Sequence, residues 1–258
     1  MGVALLMIAG GLTAGVFGSL LGLGGGVLIV PLLTLVFGLD LREAVGVSLV
    51  SVIMTSSVAA GVYLERHVAD LRLGMRLELF TAIGALIGGS IAFLIEERLL
   101  ALLFAGLLLY VAISMLRSRA SEETQPETPP GEAPSYEVRN LPLGVVGATG
   151  AGVLSALLGV GGGIVKVPLM HLGMGVPLRV STATSNLMVG ITAAASAVIY
   201  VIHGEVDPYV AGPTAIGVFL GASIGSRVAH RIDLRILRFL FVAVLLYTAV
   251  QMLLKVAS

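Results

Sequence analysis

The sequence predicts an all-α polytopic membrane protein built from two inverted-topology repeats, with Gly-rich broken or re-entrant helices at the centre. Three observations predict it: an apolar composition, a gap-free internal duplication, and a bias of basic residues that reverses between the two copies.

Of the 258 residues, 57% are hydrophobic and only 12% charged, and the mean hydropathy is +1.05. A water-soluble domain is about half apolar and about a quarter charged, so this chain has too little polar surface to live in water. The formal net charge is zero, which argues against nucleic acid as a partner. The absence of Cys removes disulfides, thiolate nucleophiles and Cys-based metal sites. No basic residue precedes the apolar run of residues 1–21, which therefore reads as a first membrane segment and not a cleaved signal peptide.

The duplication has an offset of 137 residues. Gly22-Leu23-Gly24-Gly25-Gly26, closed by Pro31, falls on Gly159-Val160-Gly161-Gly162-Gly163, closed by Pro168. Without a gap, Arg42 falls on Arg179, Ser48 on Ser185, Gly84 on Gly221 and Tyr110 on Tyr247. Of the 107 pairs from Gly11 to Arg117, 38 are identical. Chance likeness between apolar segments does not align glycines, prolines, arginines and tyrosines together.

Residues 1–117 form the first transmembrane repeat, 118–140 a linker and 141–258 the second repeat. The linker is polar, acidic and rich in Pro, the composition of a disordered, cytoplasmic tether. The first repeat holds five apolar stretches, at residues 3–22, 25–38, 43–64, 73–95 and 98–116. A bilayer core of about 30 Å needs about 20 helical residues. The second stretch is too short for that and follows Gly-rich backbone. The first two stretches thus predict a broken or re-entrant pair, tolerated where protein buries it or where it lines a wet cavity.

Basic residues in short loops mark the cytoplasmic side. The loop after the third stretch carries Arg66, Arg72 and Arg76 in copy one, whereas its equivalent at residues 203–208 carries no Lys or Arg. The next loop reverses the bias, with Arg98 beside two glutamates in copy one against Arg227, Arg231, Arg235 and Arg238 in copy two. Five crossings per repeat place those seven basic residues with Arg117, Arg119, Arg139 and Arg179 inside. Arg42, Arg98 and Lys255 fall outside, a score of eleven to three. Four crossings would put Arg179 and the second-copy cluster outside. Both termini are then external and the linker cytoplasmic. Inverted repeats are a recurrent plan of secondary transporters, because exchanging the conformations of the halves moves the opening from one side to the other.

Neither glycine run is a phosphate loop, since no Gly-Lys-Ser/Thr follows and no strand precedes. The candidate helix breaks are Gly22, Pro31, Gly159 and Pro168. Gly24, Gly25, Gly26, Gly161, Gly162 and Gly163 would open the next helices, whose positive dipole ends suit an anion. The alternative is close packing of two helices through small residues.

Lys166 departs from the symmetry, because Ile29 stands at its equivalent. An ammonium in an apolar segment is costly and is read either as an anion contact or as a snorkelling or interhelical lysine. Among the many hydroxyls of the third stretches, Ser48, Ser185 and the neighbouring Asn186 are the candidates to line a cavity; most others bond back to the preceding turn. His171 reads as structural. No carboxylate stands clearly in mid-span: Glu78 sits within about a turn of its loop. A carboxylate relay is therefore not expected, and no catalytic triad, metal cluster or cofactor site is visible.

The paired Gly-x-Gly-Gly-Gly…Pro segments are each followed by a small, hydroxyl-bearing helix, Ala44-Val45-Gly46-Val47-Ser48 and Ser181-Thr182-Ala183-Thr184-Ser185. This pattern resembles the TauE/SafE family of sulfite and organosulfonate permeases, over both repeats. Copy one departs from the commoner Gly-Thr-Ser with Gly46-Val47-Ser48, so that half would offer fewer polar contacts. The resemblance implies transport of sulfur-containing anions, such as sulfite, sulfoacetate or similar organosulfonates, across the bacterial inner membrane; the inverted repeats add alternating access as the expected mechanism, and the residues argue against an enzyme. On that reading Lys166, Ser185, Asn186 and Ser48 hold the anion between the two glycine breaks. A membrane scaffold or accessory subunit, or an anion channel, are the other readings. The expected partners are a small anion and the lipid bilayer, with self-association left open.

Overall fold

The computed structural model describes residues 2–21, 25–65, 69–117, 136–228 and 234–257. Among these lie ten helices and no strand. Copy one holds α1 (Gly2–Leu21), α2 (Gly26–Pro31), α3 (Leu41–Glu65), α4 (Leu71–Ala92) and α5 (Glu97–Arg117). Copy two repeats the series as α6 (Leu141–Leu158), α7 (Gly163–Pro168), α8 (Leu178–Ile202), α9 (Pro208–Val228) and α10 (Leu234–Ala257). Gly22, Gly24, Arg66, Arg119, Arg231 and residues 118–135 of the linker lie outside the described residues.

The short second helix of each copy is a half-helix. Pro31 and Pro168 end the α-helical part, and a widened π-helical turn carries each on, through Leu32–Val36 and Leu169–Gly173. A proline has no N–H for the turn before it, and widening the spiral absorbs the missing bond. α4 starts where the Asp70 side chain accepts from Leu73 N at 2.9 Å, an N-cap. α6 starts with a proline in its first turn, where no N–H is needed.

The two copies interlock. The first helix of each packs along the fourth helix of the other, α1 on α9 and α4 on α6, while α3 meets α8 and α5 meets α10. Gly84 lies so close to the Thr149 carbonyl that a Cβ there would overlap it, and 137 residues on, Gly221 stands in the same relation to Leu12. One turn later Gly88 faces Val153, and Gly225 faces Val16. Rising numbers on both partners mean that α4 and α6 run parallel, as do α1 and α9. Lipid offers apolar side chains no hydrophobic reward for leaving it, so membrane helices associate through close van der Waals packing at small residues.

The outer surface carries many large apolar side chains, Leu5, Leu6, Met75, Leu79, Tyr209 and Ile216 among them. So continuous an apolar exterior belongs against lipid. Among the described residues, seven helices are long and apolar enough to cross a membrane, and the stretch Gly26–Val36 is a shorter apolar helix. This is a multi-pass membrane protein.

Candidate functional site

The site is built where the helices break. Gly25, at φ 74°, precedes α2, and Gly161 and Gly162, at φ 80° and 76°, precede α7. These left-handed conformations strain any residue with a Cβ, which is why glycine occupies the turns. α6 ends at Gly159, also left-handed, whose N–H returns to Ser155 O at 2.8 Å.

The two breaks meet. Ser48, in the eighth position of α3, donates to Gly159 O at 2.7 Å and lies 3.4 Å from Gly26 O. A Cβ at Gly26 would collide with that same Gly159 carbonyl. Gly161 is wedged between Val52 of α3 and Val189 of α8. The expected cavity residue Ser48 thus serves as the tie between copies. Its equivalent Ser185 is different: its hydroxyl is buried without a hydrogen-bond partner and lies 3.6 Å from where a Cβ on Gly163 would stand. Ser155 of α6 is likewise buried and unpartnered, packed against Gly162. Two unsatisfied hydroxyls therefore flank the start of α7, an arrangement that costs stability unless something else satisfies them.

Lys166 follows within the same half-helix. Its stem passes Gly162, and its Nζ donates to Glu78 Oε2 of α4 at 3.2 Å and to Thr192 Oγ1 of α8 at 2.5 Å. Thr192 Oγ1 in turn lies 2.7 Å from Glu78 Oε1 and 3.1 Å from Met188 O. Lys166 and Glu78 are 1% and 5% exposed. The expectation that no carboxylate stands in mid-span is corrected here. α4 begins alongside the second turn of α8: Asp70 N donates to Thr184 Oγ1, six residues into α8, so Glu78 lies level with Thr192 near the middle of that helix. Lys166 is correspondingly one half of an ion pair and not a lone cation.

The pair exists in one copy only. The equivalents of Lys166, Glu78 and Thr192 are Ile29, Ala215 and Thr55. Two apolar clefts, by contrast, obey the repeat. One lies beside Leu28, Pro31 and Tyr247, the other beside Val165, Pro168 and Tyr110, on the lipid side of each half-helix. Neither offers a charge to an anion. The polar face of α7 is the inward one.

Of the remaining candidates, Asn186 is partly committed, since its Nδ2 donates to Thr182 O, and its backbone carbonyl accepts from Ser56 Oγ. His171 Nδ1 lies 2.9 Å from Val176 O, closing the turn after α7 in the structural role expected of it. Among the described residues no three His, Cys, Asp or Glu side chains gather as a metal site would. Sequence reading missed Ser155, whose signal was a lone hydroxyl one turn before Gly159. It also passed over Thr192, which looked like one more back-bonding threonine.

The profile of the family described as sulfite exporter TauE/SafE matches residues 7–252, nearly the whole chain and both glycine breaks. The chain belongs to the TauE/SafE family. It is 26% identical over 264 residues to the "Probable membrane transporter protein YunE" of Bacillus subtilis, covering 96% of each chain. A "Probable membrane transporter protein" of Xylella fastidiosa is 30% identical over 229 residues, 86% of this chain and 83% of its own. "Probable membrane transporter protein MJ0441" of Methanocaldococcus jannaschii is 27% identical over 259 residues, covering 93% and 91%. No solved structure matches. The residues of both half-helices lie inside the region matched by the TauE/SafE profile.

Proposed function

We propose that this TauE/SafE member carries small sulfur-containing anions, sulfite, sulfoacetate or similar organosulfonates, across the cell (inner) membrane by alternating access. The observation that carries the reading is the meeting of the two helix breaks at Ser48, with Lys166, Ser155 and Ser185 grouped around the start of α7. Peptide N–H groups at a helix break and hydroxyls with free donors match the oxygens of a sulfite or sulfonate, and the ammonium matches its charge.

The packing is compatible with inverted repeats, and the inversion itself follows from counting the half-helix stretch as a crossing. Counting five crossings per copy, α1 and α4 run in opposite directions. α6 runs parallel to α4, and so opposite to α1, its equivalent. With the arginine bias, both termini are external and the linker cytoplasmic. Rocking one copy against the other would then expose the meeting point of the breaks to each side in turn.

A thermal-shift series on the purified protein tests the substrate class. Sulfite, sulfoacetate and isethionate should raise the melting temperature as ligands of the folded state do, while carboxylates of equal size should not. Equal shifts with carboxylates, or none with any sulfur anion, would remove the assignment.

A further inference from the structure

From the placement of Glu78 we infer that it is the proton-coupling group of the carrier: an anion entering on Lys166 displaces Glu78, which takes up one proton, so that anion and proton move together. The inference rests on the anion-transport reading above.

Charge balance ties the proton to the anion. Empty, the site holds Lys166 as ammonium against Glu78 as carboxylate, joined directly and through Thr192 and shut away from water. Its net charge is zero. An anion that takes the ammonium leaves Glu78 as an uncompensated carboxylate in a low-dielectric interior, which is strongly disfavoured. Protonation removes that charge. The ammonium–carboxylate pair plus a monoanion and one proton gives an ammonium–anion pair plus a neutral carboxylic acid. One O–H bond forms on Glu78, the proton comes from water on the open side, and release on the other side returns it. For a monoanion such as isethionate or hydrogen sulfite, the loaded and empty carriers are then both neutral, and each can turn over without dragging a charge through the bilayer.

Thr192 is placed to serve both states. Its hydroxyl can donate to the carboxylate or, turned onto Met188 O, accept from the carboxylic acid. Other titratable groups around the pair are few. α6 carries none, and on α4 Arg72 and Arg76 are exposed. On α8, Arg179 is exposed and Tyr200 donates to Ala156 O, while His171 beyond α7 is bound to Val176 O. Among the described residues, this is the one carboxylate that faces a buried ammonium. The repeat-equivalent positions, Ile29 and Ala215, cannot titrate, so one proton per cycle is expected and not two.

Calorimetry of isethionate, methanesulfonate and sulfoacetate binding to the purified full chain, run in two buffers of unequal ionisation enthalpy, counts the protons. Isethionate and methanesulfonate carry no titrating group near neutrality, so any proton taken up belongs to the protein. Wild type should take up about one proton per anion at pH 7. Glu78→Gln should still bind while taking up none. Binding by the wild type without proton uptake overturns the coupling role and leaves anion transport standing. No binding by any of the three overturns the transport reading and this inference with it. Should Glu78→Gln fail to fold, the wild-type count alone decides.

Discussion

Ser48 Oγ donates to Gly159 O at 2.7 Å, joining the third helix of one copy to the helix break of the other across 111 residues. The bond closes the point at which both half-helices begin. Ser48→Ala leaves a buried carbonyl underserved and should cost about 1–3 kcal/mol. A fall in melting temperature in detergent would report it, and Ser48→Thr should retain part of the loss if its methyl fits beside Gly26.

Lys166 and Glu78 make a pair whose parts are worth less than the whole. Lys166→Met strands a buried carboxylate and should destabilise by about 3–5 kcal/mol, whereas Lys166→Met combined with Glu78→Gln should recover most of that. Neither protein should bind a sulfonate. A double-mutant cycle on stability, run beside anion binding, separates the two roles: the double variant folds well and still binds nothing.

The helix interfaces should respond to glycine replacement by position. Gly84→Ala and Gly221→Ala each push a methyl into a carbonyl of the facing helix and should cost about 1–3 kcal/mol. Gly106→Ala and Gly150→Ala meet nothing within 4 Å and should be neutral or slightly stabilising in helix. Thermal unfolding of the four variants gives the contrast directly.

Tyr136 ties the end of the linker to the membrane domain, donating to Asp70 Oδ2 at 2.5 Å. Burial, and then the Asp70 carboxylate, raise its phenol above the ordinary value. A group raised on folding contributes fully below its unfolded pKa, near 10, and loses that contribution only as pH climbs through the higher folded value. Tyr136→Phe should therefore destabilise by a constant amount between about pH 6 and pH 9, with the difference shrinking only in stronger alkali. Denaturation at several pH values measures it.

Much of this was legible along the chain. In copy one the helices fall within about three residues of the apolar stretches, once the π-helical turn is counted with α2, because a bilayer imposes length and hydropathy together. The breaks were legible because Gly and Pro recur at the same register. Glu78 was not. It follows Arg72 and Arg76 closely and looks like a residue near a loop; only the stagger that seats Asp70 against Thr184 carries it to the middle of the bundle. Its partner lies 88 residues away on a half-helix, and no local pattern encodes that meeting. The free hydroxyls of Ser155 and Ser185 were hidden for a like reason. Sequence shows a hydroxyl in a span, and packing alone decides whether its own helix satisfies it.

Inversion can be read chemically, because the chain has no native Cys. Glu96 and Asp233 are equivalents 137 residues apart. In intact cells a membrane-impermeant maleimide should label Glu96→Cys and spare Asp233→Cys and Ser121→Cys until the membrane is opened. Labelling of both equivalents from the same side would mean parallel repeats.

Counterflow tests the account at its centre. Proteoliposomes loaded with unlabelled sulfite or sulfoacetate and diluted into trace labelled anion should accumulate label transiently above its equilibrium level, and Lys166→Met vesicles should not. Label that never exceeds the level in protein-free liposomes, for every sulfur anion tried, would contradict it.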